Sequence, residues 1–372
     1  MTRTAIFVIY QKDNHLPQDV IYLLKELKTV ADKIVIVVNG EIDEIDILKR
    51  ESDYLIMREN LGFDAGAYKT ALNDEKVQKL IKQSDELVFC NDTFYGPLVP
   101  FKEIFKKMDS AECDFWGLSL VDTGIAMFLQ SNFLVFRKSV IKSKILNNFF
   151  ETFINDKTID INNVLRFFER KLFIYLTNNN YSYSFFCKLT TNKKVSVIFD
   201  KVPILRKKLF DPRWFCQETI LANLSYIENK YNYPVKMILE DVKKRFGVII
   251  HKTDYLNYNF SNVDKVAIEH IGITRKKIQQ FISDNWPVFL YGTGWRTQDL
   301  IDFFGSEKIA SCIVSDDRYE NGFFCGKKVL KFSEIRGNNS LPIIVVMGLN
   351  NSRQVRDNLK DFTKVLYLWE LN

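Results

Sequence analysis

The chain has 372 residues, 47% hydrophobic and 26% charged, with a formal net charge of +6. That balance excludes a disordered chain, which carries less apolar material and more charge imbalance, and the length predicts two or three domains. Basic residues fall in short clusters such as Arg206-Lys207-Lys208 and Lys243-Lys244-Arg245. No nucleic-acid motif accompanies them, so solvated faces or a surface drawn to anionic lipid or phosphorylated substrates are expected instead.

No apolar run reaches the roughly 18 residues that span a bilayer, and Ala5–Tyr10 is too short for a signal segment. The expected location is the cytoplasm, with at most peripheral attachment at the inner face of the cell membrane. Six cysteines without a CxxC pair fit a reducing compartment and do not indicate a zinc site.

In chain order, Ala5–Tyr10 reads as a buried strand, Pro17–Ala31 as an amphipathic helix and Lys33–Gly40 as a second strand closing on an Asn-Gly turn. Tyr54–Asn60 is a third strand, Asp64–Leu72 and Asp74–Ser84 are helices, and Glu86–Cys90 is a fourth strand. This alternation predicts an α/β fold with a mostly parallel sheet, whose ligands lie beyond the carboxyl ends of the strands. Asp114–Leu120 and Gln130–Ile141 follow, the latter as a strand. Residues 141–250 read as mainly helical and 251–284 as a polar helical connector. From Pro287 a second pattern begins, a small Rossmann-like unit over 285–372 with a Gly292-Thr293-Gly294 turn. That turn lacks a third glycine, so it is weak support for a dinucleotide site. A module for stability or assembly is the favoured reading.

Two stretches carry candidate chemistry. Asn60, Gly62, Asp64 and Gly66 follow the third strand and open a helix. The glycines allow close backbone approach, the Asn and Asp can accept from a base or ribose, and the helix start favours an anion. A plain strand-to-helix turn is the alternative. Asn91 and Asp92 follow the fourth strand, where a carboxylate could hold a divalent cation, Mn²⁺ or Mg²⁺, against a diphosphate. An Asx turn is the alternative. Gln130, Ser131 and Asn132 could bond a donor or acceptor sugar, or merely cap a strand. His15, His251 and His270 are too scattered for a metal triad.

Taken together, ENLGFDAGAYKTAL, CNDTFYGPLVPF, DFWGLSL and QSNFLVF resemble the rhamnan synthesis F family in order and spacing. FFERKLFIYLTNNNYSY, KVPILRKKLF and NKYNYPVKMI extend the likeness, which covers roughly residues 5–245. The resemblance implies a glycosyltransferase A-type catalytic domain over 1–250. It implies sugar transfer, rhamnosyl, galactosyl or another hexosyl, from a nucleotide-sugar to a lipid-linked glycan during O-antigen, capsule or rhamnan assembly. Other glycan assembly enzymes are conceivable partners. An inverting transferase needs one carboxylate to take the acceptor's proton. Glu169, followed by Leu172, Leu176 and Asn180-Tyr181, resembles that base, with Glu218 as second choice. Phe168 and Asn180 depart from the pattern, where a tyrosine and a glycine are expected. Outside this reading stand a dinucleotide-dependent or nucleotide-sugar-modifying enzyme using the tail, and a non-catalytic scaffold.

Overall fold

The computed structural model describes residues 1–122, 125–154, 165–190, 203–212, 217–256, 267–320, 322–346 and 352–368. The chain divides into two compact units. One comprises Met1–Val121, Phe128–Leu189 and Lys193–Val263; the other comprises Asp122–Met127, Thr190–Asn192 and Asp264–Asn372.

The first unit is built on four strands that are apolar nearly end to end: β1 (Arg3–Ile9), β2 (Lys33–Asn39), β3 (Tyr54–Arg58) and β4 (Glu86–Asn91). In β1, β2 and β4 almost every side chain is buried, as parallel strands covered on both faces require. The helices between them are α1 (Gln18–Leu27), α2 (Ile45–Glu51), α3 (Phe63–Asn73) and α4 (Glu75–Gln83). α1 turns Val20, Leu23, Leu24 and Leu27 into the core at helical spacing. Asp74 starts α4 by accepting from the N–H groups of Lys76 and Val77 at 2.8 and 3.1 Å.

After β4 come β5 (Phe94–Tyr95), α5 (Phe101–Met108), β6 (Phe115–Asp122), β7 (Met127–Leu129), β8 (Phe133–Arg137), α6 (Lys138–Ser143) and α7 (Ile145–Phe153). The sheet order is β3-β2-β1-β4-β8-β6-β7. β1 through β4 run parallel, and β8 enters antiparallel between β4 and β6. This is the α/β class expected, a mostly parallel sheet into which β8 inserts antiparallel. Aromatic rings fill its faces. Tyr68 stacks on Phe89 at 4.1 Å, and Phe105, Trp116 and Phe133 pack edge and tilted beneath α5.

The stretch expected to be mainly helical contains two strands as well. β9 (Tyr183–Thr190) pairs with β6, and β10 (Leu205–Arg206) pairs with β5. Aromatic residues suit a strand as readily as a helix face, and here Tyr183 packs on Phe115 and Phe173. The helices Lys171–Asn178, Gln217–Lys230 and Val235–Phe246 join α7 in the helical part of this stretch.

The second unit has the order β13-β14-β12-β11-β15-β16, from β11 (Val288–Tyr291), β12 (Ile309–Val314), β13 (Phe323–Phe324), β14 (Lys327–Lys331), β15 (Ile343–Val345) and β16 (Val365–Tyr367). All pairings but β13–β14 are parallel. Its own apolar clusters gather around Leu290, Leu300 and Ile344, and around Tyr291, Ile313 and Val355. Among the described residues no helix is long and apolar enough to cross a membrane.

Asn180, where a glycine was expected, lies at φ +63° in the left-handed region. Asparagine is among the few non-glycine residues that accept this conformation readily. The turn lets Tyr181 N–H donate to Leu176 O at 3.1 Å. Asn180→Val should therefore lose roughly 1–2 kcal/mol of stability, while Asn180→Gly stays within about 0.5 kcal/mol of the parent. Urea unfolding of both variants measures this; equal losses would show that side-chain contacts, not the backbone, govern the position.

Candidate functional site

The register places Val8 of β1 opposite Asn91 of β4, so Tyr10-Gln11 and Asn91-Asp92 leave the sheet side by side. Asp92 is buried, 7% exposed. Its Oδ2 accepts from Tyr10 N–H at 3.1 Å and from Gln11 Nε2 at 2.6 Å. Burial pushes its carboxyl above the ordinary carboxylate value, and the charges of Lys207 and Arg245 and these two N–H donors oppose that rise. Asn91 faces α3: its Nδ2 donates to Asp64 Oδ2 at 2.9 Å, and its Oδ1 accepts from Thr93 N and Oγ1.

Asp64 stands in the first turn of α3, whose N-cap Gly62 is left-handed at φ +69°. Only a residue at ease with positive φ can make that entry. Asp64 also accepts from Ala65 N–H at 3.0 Å. The residue keeps some surface, but its carboxyl lies deep among neighbouring atoms. Burial first, and the charge of Glu169 second, push it up to about 6. Gly66 continues α3, with its N–H on Gly62 O at 2.9 Å. Just before the helix, Asn60 Oδ1 is buried and meets no hydrogen-bond partner among the described residues, and the same holds for Asn132 Oδ1 at the start of β8.

Glu169 lies on a π-helical turn, Leu165–Arg170, running into the helix Lys171–Asn178, in which Leu172 and Leu176 are buried. Such turns often mark functional positions. Glu169 is 4% exposed, and its Oε1 accepts from Ser131 N–H at 2.9 Å and lies 3.5 Å from Ser131 Oγ. Phe168, in place of the expected tyrosine, packs on Tyr68 and Phe150. Gln130 and Ser131 precede β8, and because β8 runs antiparallel to β4 its start falls at the carboxyl end of β4. There Asn91 N–H donates to Asn132 O at 3.1 Å.

The structure thus gathers Asp64, Asn91, Gln130 and Glu169 around the end of β4, with Asp92 next to them on the β1 side. Glu218 is the second residue of the helix Gln217–Lys230, and its side chain lies outside the described residues. His15 contacts Glu44 at the surface. Four residues at or near the cluster escaped the sequence reading: Gln11, Arg206, Lys207 and Arg245. Lys207 pairs with buried Asp19 at 2.6 Å, and Arg245 donates to Asp241 at 2.9 Å, while Asp241 accepts from Tyr95 Oη. The Pro203–Phe210 segment was singled out in the resemblance, but nothing local says where its cations point.

Among the described residues no group of three His, Cys, Asp or Glu side chains is arranged to hold a metal. Asp92 can offer one oxygen, Oδ1, since Oδ2 is occupied by N–H donors. A hard cation could be held there only in partnership with donor phosphates and water. In the second unit, Gly292 at the end of β11 is left-handed at φ +123°, while Gly294 is extended and a Cβ there would meet nothing within 4 Å. Of that glycine pair, only the first answers to the backbone.

A model of the family described as rhamnan synthesis protein F matches residues 34–270. The virulence protein VirA of Vibrio anguillarum is 29% identical over 180 residues, covering 46% of this chain and 56% of that protein, so the chain spans about half the length of the curated relatives it matches. Among solved structures, residues 1–349 of S. aureus TarS align over 76% of this chain and 78% of that one, at 12% identity and a TM-score of 0.32. A candidate nucleotide-diphospho-sugar transferase of Desulfovibrio desulfuricans G20 aligns over 66% and 96%, at 11% identity and a TM-score of 0.36. At such scores the structural likeness carries no functional weight.

The raised Asp64 carboxyl fixes the sign of a pH effect. Between its ordinary value of 3.8 and about 6 the folded chain holds a proton that the unfolded chain has released, so stability falls as pH rises through that window. Asp64→Asn cannot titrate. Relative to that variant, the parent should lose on the order of 1–2 kcal/mol between pH 4 and pH 7, allowing for solvent screening. Urea unfolding at both pH values measures the difference; an unchanged difference would show that the carboxyl is not held protonated.

Proposed function

The chain belongs to the rhamnan synthesis protein F family, and from that premise we propose that it is a glycosyltransferase moving a sugar from a nucleotide-sugar donor onto a growing cell-surface glycan. The observation that carries the reading is the buried polar cluster at the end of β4 and the entry to α3, where, among the described residues, Asn60 Oδ1 and Asn132 Oδ1 meet no donor. Buried acceptors left unpaired are costly, and a ribose hydroxyl, base amine or sugar hydroxyl would pair them. The loop from Asn60 through Gly62, Asp64 and Gly66 takes the nucleoside, and Asn91 and Gln130 reach the donor sugar.

The reaction is an inverting displacement. Glu169 takes the proton of the acceptor hydroxyl as its oxygen bonds to the anomeric carbon, and the bond from that carbon to the nucleoside diphosphate breaks. Asp92 would hold a Mn²⁺ or Mg²⁺ ion, which when bound neutralises charge on the departing diphosphate. The acceptor is a lipid-linked glycan, rhamnose or galactose the transferred sugar, and the chain works at the inner face of the membrane. The second unit serves stability or assembly, consistent with the single constrained glycine of its turn.

Glu169→Gln should lower transfer by about 10²- to 10⁴-fold, the usual worth of general-base catalysis, with donor affinity within about threefold of the parent. Normal turnover in that variant beside a dead Glu218→Gln would move the base to Glu218.

Asp92→Ala should lower transfer at least ~100-fold, because a charge-stabilising group is worth a few kcal/mol of barrier. Activity with nucleotide-sugar donors, measured with Mn²⁺ and in EDTA, reads the cation directly. Full activity in EDTA would remove the metal from the scheme.

A further inference from the structure

β10 pairs with β5 so that Arg206 stands opposite Phe94, two residues beyond Asp92. The next residue, Lys207, turns to Asp19. Arg206 goes the other way. Its side chain is 46% exposed, yet its guanidinium reaches two buried groups. With the Gln130 amide oxygen turned towards it, Nε and Nη2 donate to that oxygen at 2.9 and 2.6 Å. Nη2 also lies 3.7 Å from Glu169 Oε1.

The planar fork therefore grips Gln130 and sets its charge against Glu169, and Glu169 is also tied to Ser131, the neighbour of Gln130. Glu169 is buried beside a second acid, Asp64. A buried carboxylate needs a cation and several donors to remain in place, and Arg206 is a cation paired with it. A lysine would supply charge but not the fork.

We propose that Arg206 is a positioning residue of the transfer reaction, fixing the Glu169 carboxylate relative to Gln130 so that it meets the acceptor hydroxyl. This rests on the reading of Glu169 as the base. It acts through Glu169 and not on the donor itself.

The test is a double-mutant cycle in the full chain, with kcat, donor affinity and melting temperature as readouts. Arg206→Ala should lower kcat by about 10- to 100-fold, the scale of a misplaced catalytic group, with donor affinity within about threefold and the melting temperature unchanged. Arg206→Lys, which keeps the charge but not the fork, should restore kcat only in part. In the Glu169→Gln background, Arg206→Ala should cost less than about twofold more, since both changes disable one device. A full additional loss in that background would overturn the proposal, as would loss of donor binding in step with kcat. If Glu169→Gln is dead and Arg206→Ala is normal, only the role of Arg206 falls. If Glu169→Gln is active, the base reading falls, and the positioning role falls with it whatever Arg206→Ala does. Should Arg206→Ala fail to fold, Arg206→Gln carries the same cycle.

Discussion

A carboxylate cut off from water must be met by donors, and the chain buries several such groups at one end of one sheet. Asp92, Asp64 and Glu169 meet the requirement differently. Asp92 takes a backbone N–H and an amide from the end of β1. Asp64 takes an amide from β4 and the N–H of Ala65 in the first turn of its own helix. Glu169 takes the backbone of Ser131 and lies against Arg206. Each solution fastens one segment to another, so the rest of the site is arranged around these bonds.

The arrangement follows from the direction of β8. Had β8 run parallel to β4, its start would lie at the far edge of the sheet and Gln130 to Asn132 would sit a strand's length from Asn91. Because it runs antiparallel, Asn132 O meets Asn91 N–H, and Ser131 comes within reach of Glu169. The strands themselves are held by apolar burial on both faces, which is why they can carry polar residues only at their ends. The same burial that forms the sheet thus concentrates its chemistry at one rim.

Much of this was legible in the sequence, because the signals are local. Apolar runs announce β1, β2 and β4, and Asn60-x-Gly62-x-Asp64-x-Gly66 and Asn91-Asp92 stand where such runs end. Asn180 stood out only as a departure from an expected glycine; at φ +63° it takes a left-handed backbone that asparagine accepts more readily than most residues. Less legible were elements decided by distant partners. Tyr183–Thr190 carries aromatics that suit either a helix or a strand, and only its pairing with β6 settles the matter. Arg206 and Lys207 read as a basic cluster bound for solvent. Their destinations depend on β10 pairing with β5, a contact more than a hundred residues apart in sequence.

That same pairing gives Asp92 a second duty. Lys207 N–H donates to Thr93 O, its ammonium meets Asp19 on α1, and Arg245 and Tyr95 converge on Asp241. The charges of Lys207 and Arg245 both bear on Asp92. The end of β4 is therefore where the sheet is joined to the helices that follow it, and Asp92 stands at that joint with one oxygen turned to the frame. A carboxylate so placed would feel a ligand at its other oxygen through a fixed support, without the entropy that a free side chain loses on binding.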